Sequence, residues 1–349
     1  MPQLQLRIGG RWAPAIGPWG DLQWSTCLQG SDEASWTMDH AYRRLSGRPS
    51  VRIYDGPEAI WGGVLSQLGS EDGRYVAQGL WKAAYNYPAI DTGNAATPVT
   101  QDAIDGAISR GLPWTRSTSF NLGSPTAMSA SLQGEVPKLG DMLDTWADRH
   151  NRYWAVTPLG EVYHYTRPTS PDIVVTPDQR MTPADDDYRT KLWAVRKDNT
   201  GAKVLSGPVE DTDAAARWVT PREDVIDLTE YGNMTDPVAV DVLTGILAKY
   251  GSRLGWANPI TVAPERVTTG GGIPAYTTVL RGGMLARVVV PWDDTSNLNS
   301  RTYTEILVNR TVHSSSSSTV TLEPVGLAGR DLSHIIERLG RAARRSRRH

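Results

Sequence analysis

Apolar and polar residues alternate through much of the first hundred positions, the period of half-buried β-strands. LQLRI (4–8) alternates, and Val51 and Ile53 lead into an Asp55-Gly56 turn that predicts a hairpin. Ile60 to Leu68 reads as the return strand, Glu71-Asp72-Gly73 as a second turn, and RYVAQGLW (74–81) as a third strand. Trp61, Gly62 and Gly63 interrupt the middle strand. Glycine inside a strand marks a bulge or a close approach of another backbone, and a bulge bends the strand as a barrel corner requires. The plainer reading is a local kink with no further role.

The period changes after residue 95. QDAIDGAIS (101–109) predicts a short amphipathic helix closed by Gly111 and Pro113. KLGDMLDTWADRHN (138–151) sets Leu139, Met142, Leu143 and Trp146 on one helical stripe. RYWAVTPLGEVYHYT (152–166) then reads as a hairpin about Pro158-Leu159-Gly160. Strand patterns return at KLWAVRK (191–197), MLARVVVPW (284–292), TYTEILVNRTVH (302–313) and TVTLEPV (319–325). A third helix begins at Asp236-Pro237 and ends at Gly251, with Val238, Val242, Ile246 and Tyr250 as its expected buried face and Leu243 and Leu247 beside it. The serine run 314–318 predicts a mobile hairpin loop, and Thr268 to Gly272 a flexible connection without the Gly-Lys-Ser/Thr ending that cradles phosphate. Finally, Leu332, Ile335, Ile336 and Leu339 share one face of a predicted helix.

The 349 residues exceed what one core usually organises, so several domains are expected. The divisions fall at 1–95 (β), 96–190 (α+β), 191–330 (β with a helical insertion near 236–251) and 331–349 (basic tail). The fold class expected is mainly β with α+β insertions, and the two β-rich regions flanking the helical middle read as possible distant copies of one domain.

Charge adds one feature. The net charge of −2 hides a tail, 331–349, in which Arg338, Arg341, Arg344, Arg345, Arg347 and Arg348 face only Asp331 and Glu337. Three readings of this tail stay open: phosphate binding, docking on an acidic protein surface, or a solvated helix end. The apolar stripe before it favours docking through Leu332, Ile335, Ile336 and Leu339, with the arginines Arg338, Arg341, Arg344 and Arg345 at the basic end. No basic groove with interleaved aromatics accompanies it, as nucleic-acid binding usually needs.

Chemistry is sparse. Cys27 is the sole cysteine, which rules out an intrachain disulfide or a cysteine metal site. Asp185-Asp186-Asp187 lacks calcium-loop spacing, and His150 and His164 lack zinc-hydrolase spacing. No serine sits in a nucleophile elbow. Neither a secretory leader nor a membrane-length apolar run of roughly 18 residues is expected. The reading is of a non-enzyme with no cofactor and no metal. Thirteen tryptophans against one phenylalanine leave a wall- or carbohydrate-binding module as an alternative, through stacking on sugars. A hydrolase using Asp185 to Asp187, His150 or His164 is the weakest alternative.

The order of motifs resembles the tail hub proteins of bacteriophages with non-contractile tails, also called baseplate hub, tail-associated or minor tail proteins. The motifs are GPEAIWGGVLSQ (56–67), LGDMLDTWADRHN (139–151) with YWAVTPLGEVYHY (153–165), KLWAVRKDNTG (191–201), GGMLARVVVPW (282–292) and TYTEILVNRTVHSSSSSTVTLEP (302–324). The likeness covers about 1–330. It implies two tail-tube-like β-barrel domains per chain plus a lateral helix-and-hairpin domain. Three chains would then set six barrels in a ring beneath a sixfold ring. The implied partners are other copies of the chain as a homotrimer, a distal tail protein ring, a tape measure protein and downstream tip or fibre proteins, with transient contact to exiting DNA. The implied location is the distal end of the virion tail, after synthesis in the host cytoplasm. Trp61, Gly62 and Gly63 would then serve barrel bending and packing, and the arginine tail has no family counterpart.

Overall fold

The computed structural model describes residues 4–12, 19–38, 48–67, 73–120, 136–149, 152–166, 168–177, 183–184, 189–212, 223–229, 233–250, 255–256, 259–290 and 302–324. The chain is mainly β with helical insertions. In chain order the strands are β1 (Leu4–Ile8), β2 (Arg11–Trp12), β3 (Trp19–Cys27), β4 (Gly30–Met38), β5 (Ser50–Asp55), β6 (Glu58–Gln67) and β7 (Arg74–Gly79). Helix α1 (Thr100–Ser109), β8 (Thr115–Arg116), α2 (Leu139–Arg149), β9 (Tyr153–Val156), β10 (Glu161–Tyr165) and β11 (Ile173–Val175) follow. Next come β12 (Pro183–Ala184), β13 (Lys191–Lys197), β14 (Lys203–Glu210), β15 (Glu223–Asp227), α3 (Asp236–Tyr250) and β16 (Gly255–Trp256). The last strands are β17 (Ile260–Val262), β18 (Val267–Thr269), β19 (Leu285–Val290), β20 (Thr302–Ser314) and β21 (Ser317–Pro324). Two compact units result, one of Met1–Arg180 with Pro259–Glu323, the other of Met181–Asn258 with Pro324–His349.

The first unit is organised by one large sheet whose main path runs β18-β11-β19-β20-β3-β4-β7-β6-β5-β1-β2. Two runs of strands, one from each end of the chain, meet where β20 pairs antiparallel with β3, from Arg310 opposite Cys27 to Ser314 opposite Gln23. Alternation explains the inner face: Leu6, Ile8, Leu22, Trp24, Trp36, Ile53, Trp61 and Tyr75 are buried together. The serine run is tighter than its composition suggests. β20 and β21 are joined by only Ser315 and Ser316, and hydroxyl pairs Ser314–Ser316 (2.8 Å) and Ser317–Thr319 (2.7 Å) brace the turn. The glycine-rich connection is also tied down: Gly270 N–H donates to Asp172 O at 2.9 Å, and Gly272 N–H to Thr269 O at 2.8 Å.

A second core of the same unit forms around α2. Its stripe, Leu139, Met142, Leu143 and Trp146, is buried against Ile104 of α1, Phe120, and Trp154 and Val162 of the β9–β10 hairpin. Asp144 sits on the flank and accepts from Tyr85 Oη at 2.7 Å and Trp154 Nε1 at 3.0 Å. Asp144→Ala leaves the buried Trp154 donor without that acceptor, so a loss of about 2 kcal/mol in unfolding free energy is expected by denaturant titration. Asp144→Asn, which keeps an acceptor oxygen, is expected to lose less than half of that.

In the second unit, β13 lies between antiparallel β14 and parallel β15. KLWAVRK, read from sequence as a strand leading into a barrel, is thus the middle strand of this small sheet. Leu192, Ala194 and Ile226 pack on Ala239, Leu243, Ile246 and Leu247 of α3. The buried stripe is therefore turned by about one residue from the expected face, and Val238 is left 49% exposed. The sheet beneath presents small or branched residues opposite Leu243, and the helix rolls to set its bulkiest side chains there.

Candidate functional site

The features that stand out are joints between strands, and the Trp-Gly-Gly segment of β6 is one of them. The β5–β6 ladder slips between Ile53 and Tyr54, so Ile60 is the extra residue immediately before Trp61. The β6–β7 ladder slips between Leu65 and Gln67, leaving Ser66 as the second extra residue. The bulges thus bracket the glycine pair rather than fall on it. The glycines themselves admit close neighbours. A Cβ on Gly62 would lie 2.0 Å from Pro158 O of the β9–β10 turn. One on Gly63 would lie 2.3 Å from Gln78 O and 2.4 Å from Cη2 of Trp61. The Trp61 indole therefore lies along its own strand over the space that Gly63 leaves empty. Gly62 N–H donates to Ser31 Oγ at 2.9 Å, and Trp61 Nε1 donates to Ser25 O at 3.0 Å. Ser25 is the residue skipped where the β3–β4 register slips between Trp24 and Thr26. The indole supplies a donor to a carbonyl at that slip.

The β3–β20 seam gathers Thr26, Thr311 and His313, three of the buried polar side chains of the sheet. Thr26 and Thr311 share a hydroxyl hydrogen bond of 2.8 Å, and Gly282 N–H donates to Thr26 Oγ1 at 2.8 Å. His313 stacks on Trp24 at 4.8 Å, and its Nε2 lies 3.0 Å from Leu280 O and 2.9 Å from Thr311 Oγ1. Burial pulls the His313 imidazole down to about 4, opposed by the Leu280 hydrogen bond. Beside the seam, Asp32 takes Lys82 Nζ at 2.8 Å and Arg310 Nε at 3.1 Å, and Arg310 reaches Glu323 at 3.4 Å. This network pins β20 and β21 to β4 and the segment after β7. No sequence motif marks His313 as special; strand alternation alone places it inward.

Of the residues considered for chemistry, His164 and Cys27 lie among the described residues. His164 is held on both ring nitrogens, Nδ1 by Arg152 at 3.1 Å and Nε2 by Ser119 O at 2.6 Å, between Phe120 and Trp146. Burial pushes the Cys27 thiol up to about 12, with the nearby Asp32 charge adding to it, so it is not a nucleophile at neutral pH. Among the described residues, no three His, Cys, Asp or Glu side chains form a metal-binding group. No helix among them is long and apolar enough to cross a membrane. His150 and Asp185 to Asp187 lie outside the described residues, as do Leu332, Ile335, Arg338, Ile336, Leu339, Arg341, Arg344 and Arg345 of the predicted docking helix. Trp24, Trp36, Trp61, Trp114, Trp146 and Trp154 are buried, which withholds them from sugar stacking.

Neither a family model nor a curated protein matches this sequence. Solved structures do match. The 43 kDa tail protein of prophage MuSo2 from Shewanella oneidensis superposes with a TM-score of 0.60 at 14% identity, covering 93% of this chain and 97% of that one. A tail protein from Neisseria meningitidis gives 0.53 at 12% identity, covering 92% and 95%. The prophage tail protein gp18 from Listeria monocytogenes gives 0.51 at 10% identity, covering 93% of each. The chain has the fold of these prophage tail proteins.

Proposed function

We propose that this chain is a non-enzymatic structural component of a phage tail, a homotrimeric hub at the distal end of the virion tail. It would join the tail tube and distal tail ring to the tip or fibres, meet the tape measure protein, and help close the DNA channel until ejection. The observation that carries this reading is the likeness to prophage tail proteins over nearly the whole of both chains, 93% and 97% for the MuSo2 protein. The two runs of strands joined at the β3–β20 seam suit a pair of tube-like units set side by side, six per trimer. The brace of Trp61, Gly62 and Gly63 suits a bent, close-packed corner rather than a reaction site, and buried tryptophans suit packing rather than sugar binding.

In solution, the purified chain is expected at three times its mass of 38.2 kDa by light scattering, and antibodies are expected to label the tail end of particles. Removing residues 331–349 is expected to leave the thermal midpoint unchanged while lowering incorporation into particles. A monomer at all concentrations, or labelling along the tail shaft, would count against the hub. Unaltered particle yield after the truncation would count against docking by the tail.

A further inference from the structure

The β1–β5 ladder sets one arginine directly against another. Leu6, Ile8, Val51 and Ile53 turn into the core, so Arg7 and Arg52, which pair across the ladder, share the outward face. Residues paired in this way have Cα atoms only about 5 Å apart, and like charges placed there destabilise the ladder. Arg11 and Arg48 stand at the same end of the sheet. Arg11 follows the Gly9-Gly10 turn between β1 and β2, and a Cβ on Gly9 would lie 3.4 Å from Pro49, the neighbour of Arg48. Arg11 and Arg48 are exposed, and Arg7 and Arg52 are half-buried. Arg7 is steadied by its own turn, with Nε donating to Gly10 O at 2.9 Å.

Among the described residues, no carboxylate forms an ion pair with Arg11, Arg48 or Arg52. Asp55 and Glu58 close the β5–β6 hairpin at the opposite end of the ladder. Asp55 is three residues, about 10 Å, from Arg52 along β5, and it already accepts from Thr278 Oγ1 at 2.7 Å. Asp21 lies on β3, four ladders and roughly 19 Å from β5. The connecting stretches 39–47 and 68–72, outside the described residues, add Arg43 and Arg44 against Asp39, Glu71 and Asp72, and Arg74 opens β7. Arginines thus outnumber acids seven to three across these segments, which hold no lysine. The extent of the row selects its partner. One carboxylate occupies one guanidinium fork, whereas Arg48 to Arg52 alone spans up to roughly 13 Å of chain. A duplex carries a backbone charge every ~1.7 Å of its axis and so offers phosphates along the whole row. The planar guanidinium matches phosphate with paired N–H donors. Tyr54, two residues beyond Arg52, shares the outward face of β5 and sets an aromatic beside the cations.

We propose that the arginine end of the β1–β5 ladder, with Arg7, Arg11, Arg48 and Arg52, is a contact for the phosphate backbone of DNA. This inference rests on the tail reading above, in which the chain helps close the DNA channel, and it assigns that contact to residues. The test is fluorescence anisotropy of a short labelled DNA duplex with the full-length chain across a salt series. Each phosphate neutralised adds about 0.9 to the slope of log affinity against log salt, so Arg11→Gln with Arg48→Gln is expected to flatten that slope by about 1.8. The affinity lost between about 50 and 200 mM salt then shrinks about twelvefold. Arg52→Gln is expected to flatten the slope by about 0.9 at a thermal midpoint that holds or rises, because the change also removes the like-charge pair. A wild-type slope in the double variant would overturn the proposal and leave DNA binding to other cations, those of 331–349 among them. A fall in midpoint for Arg52→Gln would also overturn it, by making the pair a packing feature. Labelled polyglutamate that loses binding to the double variant, while the duplex does not, would assign the row to an acidic protein instead. A trimer found at the tail end with an unchanged slope ends this contact alone; a monomer whose DNA binding still depends on these arginines ends the hub and keeps the contact.

Discussion

Replacing Trp61 by alanine is expected to lower the unfolding free energy of the first unit by about 4 kcal/mol, near the middle of the range for emptying a buried tryptophan site. The indole is fully buried among Leu6, Leu22, Ile53 and Tyr75, so its removal forfeits both transfer energy and packing. The void would collapse poorly. The floor under the ring is Gly63, which has no side chain to move into it, and the walls are paired strands held by their ladders. The carbonyl of Ser25, at the β3–β4 slip, would also lose the indole donor now 3.0 Å away. Trp61→Phe separates the two contributions, since it refills much of the volume but carries no N–H; a loss of about half is expected from it. Denaturant titration followed by circular dichroism measures both. An alanine variant within 1.5 kcal/mol of wild type would mean that the strand bend does not depend on this ring, roughly the low end of what any sizeable core truncation costs.

Local period carried much of this architecture in the sequence. Alternation marked LQLRI as β1, and the 139–146 stripe of α2 is buried as its spacing predicts. Trp61-Gly62-Gly63 announced an irregularity, but which backbone closes on Gly62 depends on Pro158, nearly a hundred residues away. The same limit hid the β3–β20 pairing: Thr26 and Thr311 meet across 285 residues, and neither strand carries a local signal for the other. The face of α3 was misjudged by one position for a related reason. DPVAVDVLTGILAKY is apolar around most of its circumference, so the sheet it covers, not its own period, selects the buried side. The serine run was legible as the link of a hairpin, but not the exposed hydroxyl pairs that brace its two-residue turn, because composition does not fix which hydroxyls meet. For chemistry, the sequence offered His164 as a candidate, and the structure engages both of its ring nitrogens in the second core of the first unit.

Acid is expected to loosen the β3–β20 seam through His313. The ring is almost wholly buried, stacked on Trp24, with Nε2–H donating to Leu280 O. A proton on Nδ1 would place a cation between two strands at the point where the N-terminal and C-terminal runs of the sheet join. Desolvation holds its folded value down to about 4 from the ordinary 6.5, while the unfolded chain takes up the proton near 6.5. The unfolded state thus binds more protons throughout that interval, and stability rises with pH across it. The contribution is complete above pH 6.5, declines as the pH falls toward 4, and at the bottom of the window amounts to a loss of about 3 kcal/mol at ~1.4 kcal/mol per unit. Carboxylates held below their usual range, Asp198, Asp227 and Asp236, lose stability in the same direction only at the acid end, so a comparison isolates the imidazole. His313→Phe keeps an aromatic ring for Trp24 and cannot ionise; its starting stability is lower, but its decline between pH 7 and pH 4.5 is expected to be shallower than that of wild type. Parallel declines in the two proteins would place the acid sensitivity elsewhere and leave the seam indifferent to this histidine.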